Sequence, residues 1–230
     1  MGMENSDQID APDGAGGSAF AQLIADAVHD AIVTAYPDKY AGLCHAYAVI
    51  GANLTALVTG REYRPVAGLA IFDGGDGSFV MCLDNAAFSR LNGGSFHCWI
   101  QSSAADPAQI ELIDYSYRNN EEYARKHGLP WNRARVNFLW GLHAGINVGG
   151  EPFPLPRAYE EGKAWYRETD EGFRWLLQRL HEHMDVYAKL TSLAIQNLRQ
   201  AQTDIRACSP QCRSRSGARI VAERSACANA

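Results

Sequence analysis

Cys44, His97 and Asp114 occur in the order and with the chemistry that covalent acyl transfer requires. A cysteine thiolate can attack a carbonyl carbon, an imidazole can move the proton, and a carboxylate can hold the imidazole in one tautomer. Cys44 precedes His97 by 53 residues, and Asp114 follows His97 by 17. The thiolate form is favoured at a helix N-terminus beside an imidazolium. The same helix end offers unpaired backbone N–H groups to a developing oxyanion.

The elements around these residues meet both conditions. A first helix is expected from Ser18 as N-cap through Ala35, with Phe20, Leu23, Ile24, Ala27, Ile32 and Val33 mostly on one face and Pro37 ending it. A second is expected from about Leu43 to Thr59, with Tyr47, Ile50, Leu54 and Val58 as its apolar stripe and Gly60 as its stop. Cys44 then sits in its first turn. From Glu62 onward the pattern changes to β-branched and aromatic residues with turn signals between them. Strands are expected at roughly 63–72, 78–83, 95–101 and 109–115, the first two joined as an antiparallel hairpin by Asp73-Gly74-Gly75-Asp76-Gly77.

Alternation puts His97, Trp99 and Gln101 on one face of the third strand. Pairing that strand with the fourth so that His97 faces Asp114 sets Cys98 against Ile113, Trp99 against Leu112 and Gln101 against Ile110. Opposed side chains are then close enough for imidazole and carboxylate to bond. An aspartate inside the apolar run IELIDYSY needs such a partner, because an unpaired buried carboxylate is costly. Trp99 shares the face of His97 and is expected to flank the site.

Gly-Leu-Cys44 opening a helix, a hairpin, Phe-His97-Cys-Trp on one strand and Leu-Ile-Asp114 on the next together resemble the core of transglutaminase-like proteins in the papain-like cysteine-protease superfamily. The resemblance covers about residues 36 to 118, and the whole chain is similar to a bacterial branch of that superfamily. It implies an α+β fold, with the nucleophile helix packed on an antiparallel sheet and helices appended at the C-terminal side. It also implies a cysteine hydrolase acting on a peptide or small amide or acyl substrate through a thioester. Acyl transfer to an amine, or a non-catalytic interaction domain, are the alternatives. Papain-like proteases usually place a glutamine shortly before the nucleophile as oxyanion donor, and none lies between Gln22 and Cys44 here. Tyr40 is the substitute candidate.

Composition bounds the rest. The chain has 230 residues, 47% of them hydrophobic and 20% charged, with a formal net charge of −5. One globular domain is expected over 18–206, with a disordered leader at 1–17, a helical segment over about 158–206 and a flexible basic tail at 207–230. The mild negative charge gives no reason to expect nucleic acid or anionic membrane as partner. No apolar run approaches a bilayer span and the opening residues lack a signal peptide, so a cytoplasmic location is expected.

The six cysteines are too few and too dispersed for a disulfide scaffold. Cys208 and Cys212 have the spacing of half a zinc site without a second half, so no metal and no organic cofactor is expected. Cys82 and Cys98 read as packing residues, as do Trp131, Trp140, Trp165 and Trp175. His45, next to the nucleophile, is expected at the surface or at a pocket rim. His181 and His183 read as exposed helix residues, since positions two apart do not share a helix face.

Overall fold

The computed structural model describes residues 15–89, 95–142, 147–148 and 164–226, with side chains described over 19–88, 95–142 and 164–207. Helix α1 (Ala15–Ala35) begins three residues before the expected Ser18 cap. It buries Ile24, Ala25, Val28, Ala31 and Ile32, the spacing of one helical face. A 3₁₀ turn at Tyr40–Gly42 leads into α2 (Cys44–Thr59). Gly60 ends α2 in the left-handed conformation, at φ 68°, and its N–H bonds the Ala56 carbonyl.

Strand β1 (Tyr63–Gly75) is the spine of the sheet. Its first half pairs with β3 (His97–Ser102) and its second half with β2 (Ser78–Cys82). The hairpin turn carries positive φ at Gly75, Asp76 and Gly77, which is why this stretch is so rich in glycine. Beyond β3 lie β4 (Glu111–Asp114) and β5 (Leu139–Leu142). On the other side of β1 come β7 (Ala164–Glu168) and β6 (Asn147–Val148), giving the order β5-β4-β3-β1-β7-β6 with β2 beside β1. Every pairing is antiparallel except that of β6 with β7. The chain is therefore α+β.

Both faces of the sheet are covered. Ala67, Cys98, Ile100, Ile113 and Tyr115 pack with α1, α2 and the C-terminal helix, while Val66, Phe72, Trp99, Leu112 and Tyr166 form a second cluster. Strand β3 is consequently buried at all six positions, as expected of a strand with no solvent face. Helix α2 approaches the sheet closely at Gly51, where an added Cβ would lie 2.5 Å from the Tyr115 ring.

Three expectations are corrected. First, the β3–β4 register is Ile100 with Ile113 and Gln101 with Leu112, two residues from the expected pairing. Pro107–Gln109 form a 3₁₀ turn capped by the Asp106 carboxylate, which accepts the Ala108 N–H, so Ile110 ends that turn instead of pairing. A slip of two keeps every side chain on its face, so Asp114 remains on the side of His97. Second, the expected helical stretch from 158 contains β7, whose Ala164, Trp165 and Tyr166 are buried by pairing with β1. Pairing with a waiting edge overrode local periodicity. The helical part is two helices, α3 (Asn120–Lys126) lying earlier: α4 (Asp170–Glu182), N-capped by the Thr169 side chain, and α5 (Met184–Ala226). Third, α5 continues through most of the stretch read as a flexible tail, and α1 takes in the last residues of the expected leader. The rest of the leader, residues 1–14, and the side chains of Cys208 and Cys212 lie outside the described residues. Among the described residues no helix is long and apolar enough to cross a membrane.

Candidate active site

Cys44 is the first residue of α2, as the sequence indicates. The N-cap, Leu43, supplies no side-chain bond to the helix end. The N–H groups of Ala46 and Tyr47 take the Leu43 carbonyl, which leaves those of Cys44 and His45 as the donors at the tip. Half-buried Cys44 packs at the margin of the core beside Cys98. A hydrogen bond from the Cys98 thiol is the largest influence on its acidity. Burial opposes ionisation, and the His97 charge and a backbone bond from Cys98 favour it, leaving the Cys44 thiol lowered to about 7. Cys98 itself is held well above the ordinary thiol range by burial and by Cys44.

His97 opens β3 and is 4% exposed. Its Nε2 donates to Asp114 Oδ2 at 2.8 Å, with the Ser116 hydroxyl 3.4 Å away, so Nδ1 is the nitrogen left for proton exchange. The Phe72 ring meets it edge-on at 4.9 Å and Tyr166 lies at 6.1 Å, fixing the plane of the imidazole. Burial alone would depress its basicity. The charge and hydrogen bond of Asp114, with the charge of Cys44, outweigh that and raise it.

Asp114 ends β4 and is 1% exposed. Oδ2 accepts from His97 and, at 2.8 Å, from the Tyr166 hydroxyl; Oδ1 accepts from the Ser116 N–H at 2.9 Å and hydroxyl at 2.7 Å. Burial pushes the carboxyl up, but His97, Ser116 and Tyr166 together hold it below its ordinary range. Asp114 and His97 are one diagonal step apart across the two strands, a separation that the long imidazole spans.

Cys44 and His97 open on one cavity of about 610 Å³. Its wall includes Ser116, Asn119 and Asn120 beyond β4, and Trp175, Gln178, Arg179 and Glu182 on α4. The side-chain amide nitrogens of Asn119 and Asn120 are buried with no hydrogen-bond acceptor. His45 also lines the cavity, its Nδ1 2.9 Å from the Tyr187 hydroxyl. Burial, with Arg179 and His183, lowers the His45 imidazole to about 4, so it is neutral near pH 7.

The two pocket candidates fall elsewhere. Tyr40 is not on the cavity wall: its hydroxyl donates to Glu122 at 2.6 Å and its ring stands edge-on to His29, because the 3₁₀ turn presents Ala41, Gly42 and Leu43 to the cavity instead. Trp99 does share the face of His97, but it is 1% exposed and packs on Tyr166 at 5.2 Å, away from the cavity wall. Cys82 and Trp175 pack in or against the core as expected, and both also reach the cavity. Ser116 and Tyr166 were legible only as polar residues near strands, and Asn119, Asn120 and Arg179 gave no signal beyond their polarity. Their role depends on where α3 and α4 dock.

No family model matches the chain, and no curated protein matches it. Among solved structures, "The crystal structure of genomics APC5867" matches at a TM-score of 0.52 and 15% identity, covering 84% of this chain and 82% of that one. At that identity the likeness speaks for a shared fold alone.

Proposed function

We propose that the chain is a cysteine-dependent hydrolase of an amide or peptide bond, built on a papain-like, transglutaminase-like core, with Cys44 as nucleophile, His97 as general acid and base, and Asp114 as the orienting carboxylate. The observation that carries this reading is the shared cavity: a thiol of lowered pKa at a helix tip and an imidazole backed by a buried carboxylate open on the same space. Structural cysteines in cores have raised pKa values, as Cys82 does, pushed up to about 12 by burial.

In this reading the Cys44 thiolate attacks the carbonyl carbon, and the carbonyl oxygen takes the negative charge within reach of the Cys44 and His45 N–H groups. His97 gives its proton to the leaving amine as the carbon–nitrogen bond breaks, and a thioester to Cys44 remains. Neutral His97 then takes a proton from water, whose oxygen attacks the thioester, and the acid leaves as the Cys44 thiolate is regenerated. Asp114 stays ionised throughout. The α2 tip supplies the donors for which the sequence holds no glutamine.

The test is a set of acyl-electrophile probes applied to the wild-type protein and to Cys44→Ser, read by intact mass. An adduct on Cys44 that hydroxylamine removes supports the thioester, and its release into an added amine would mark acyl transfer instead of hydrolysis. Equal labelling of Cys44→Ser would overturn the assignment of the nucleophile.

A further inference from the structure

Among the described residues, one cationic side chain on the cavity wall forms no ion pair with a carboxylate. Arg179 donates from Nη1 to His183 Nε2 at 2.8 Å, and its guanidinium carbon lies 5.5 Å from the centre of the Trp175 ring. Its Nε is buried without an acceptor, and no carboxylate lies within 4 Å of it among the described residues. Glu182, on the same wall and one turn away, accepts instead from Gln178 at 2.7 Å, and its other oxygen is 3.9 Å from His183. The Arg179 Nε faces protein, and it is the remainder of the guanidinium, on the cavity wall without a carboxylate beside it, that is open to an anionic acceptor.

The location of Arg179 ties it to the nucleophile end of the cavity. Trp175, which it overlies, stands edge-on to His45 at 5.8 Å, and after burial the Arg179 charge is the largest influence that lowers the His45 imidazole. His45 directly follows Cys44 on α2. With His45 neutral, Arg179 is a permanent cation on this wall of the cavity, which also carries Trp175, Phe88 and Phe96 packed ring on ring.

We propose that Arg179 is the specificity-determining residue of the cavity and that it binds a carboxylate on the acyl substrate, close to the carbonyl that Cys44 attacks. The substrate class is thus an acidic amide or peptide, such as an N-acyl amino acid or a chain ending in a free carboxylate. This inference rests on the reading of Cys44 as the residue to which substrates are delivered. Arg179 forms and breaks no bond; it lowers the concentration at which an anionic substrate fills the site.

The test uses two alkylating probes with the same reactive carbon, N-iodoacetyl-glycine and N-iodoacetyl-glycinamide, which differ in a carboxylate against a neutral amide. Labelling of Cys44 is followed by mass at several probe concentrations, at pH 9, where any accessible thiol reacts and the result does not depend on an activated thiolate. In the wild type the carboxylate probe is expected to half-saturate at about a tenfold lower concentration than the amide probe, the size of one charge-assisted bidentate contact. The ratio should fall to about one in Arg179→Gln and be partly kept in Arg179→Lys, which retains the charge without the fork. Equal half-saturation in the wild type, or a preference that survives in Arg179→Gln, overturns the proposal. Failure of the catalytic reading would show separately, as a Cys44 that gains no rate advantage near pH 7.

Discussion

Asp114 brings a full negative charge into a site where burial alone would keep it protonated, and four donors to its two oxygens reverse that balance. The sign of the linkage differs for the two partners. The lowered Asp114 contributes stability that is complete above the unfolded carboxyl value, near 4, and is lost as pH falls through the folded value. The raised His97 contributes stability that is complete below the unfolded imidazole value, near 6.5, and is lost as pH rises through the folded value. Asp114→Asn removes the carboxylate that holds His97 protonated against burial and leaves the donors around it mismatched, so it is expected to cost about 3 kcal/mol in a denaturant titration near pH 6. The loss should shrink toward both ends of the pH range. A cost that is small and independent of pH would mean the pair is not ionised.

At the scale of elements, the site depends on how closely α2 sits on β3 and β4. Gly51 permits that approach, and its Cβ-less face lies against Tyr115 and Ile100. Gly51→Ala is expected to destabilise the fold by about 1–3 kcal/mol through overpacking, measured as a lower denaturation midpoint, although alanine is the better helix former. Stability equal to or above wild type would show that the helix has room to move. The sequence makes α2, the hairpin and the faces of His97 and Asp114 legible, because periodicity, Gly60 and the glycine turn are local signals. It hides the β3–β4 register, since an even slip preserves every face and only the capped turn at Asp106 decides between the two. It hides β7 as well, because Trp165 and Tyr166 become strand residues only once β1 offers an edge. The cavity wall on α4 is invisible from sequence for the same reason: Trp175 and Arg179 acquire their roles from docking, not from their neighbours in the chain.

Across the whole molecule, the two faces of the sheet do different work. One is closed by α1, α2 and α5, with Tyr187, Leu190, Ala194 and Leu198 of α5 joining the same apolar cluster as Ile50 and Ile100. The other holds Phe72, Trp99 and Tyr166, two of which flank the imidazole. Cys44 approaches from the first face and His97 is set by the second, and both open on the cavity at the end of β3 where the strand begins and α4 forms the opposite wall. Such a shared opening requires the sheet, the helix tip and α4 at once. The Cys98 and His97 contributions to the lowered Cys44 thiol come from β3 and exist only when α2 is docked on it, so the state of that thiol reports on the assembled fold.

The rate at which iodoacetamide alkylates Cys44 between pH 5 and 10, in the wild type and in His97→Ala, tests the thiolate–imidazolium reading most directly. The expected wild-type profile rises with an inflection at about 7, and in His97→Ala the inflection should move up as the imidazolium charge is lost, while the bond from Cys98 remains. A wild-type inflection at the ordinary value, unmoved by the loss of His97, would contradict it.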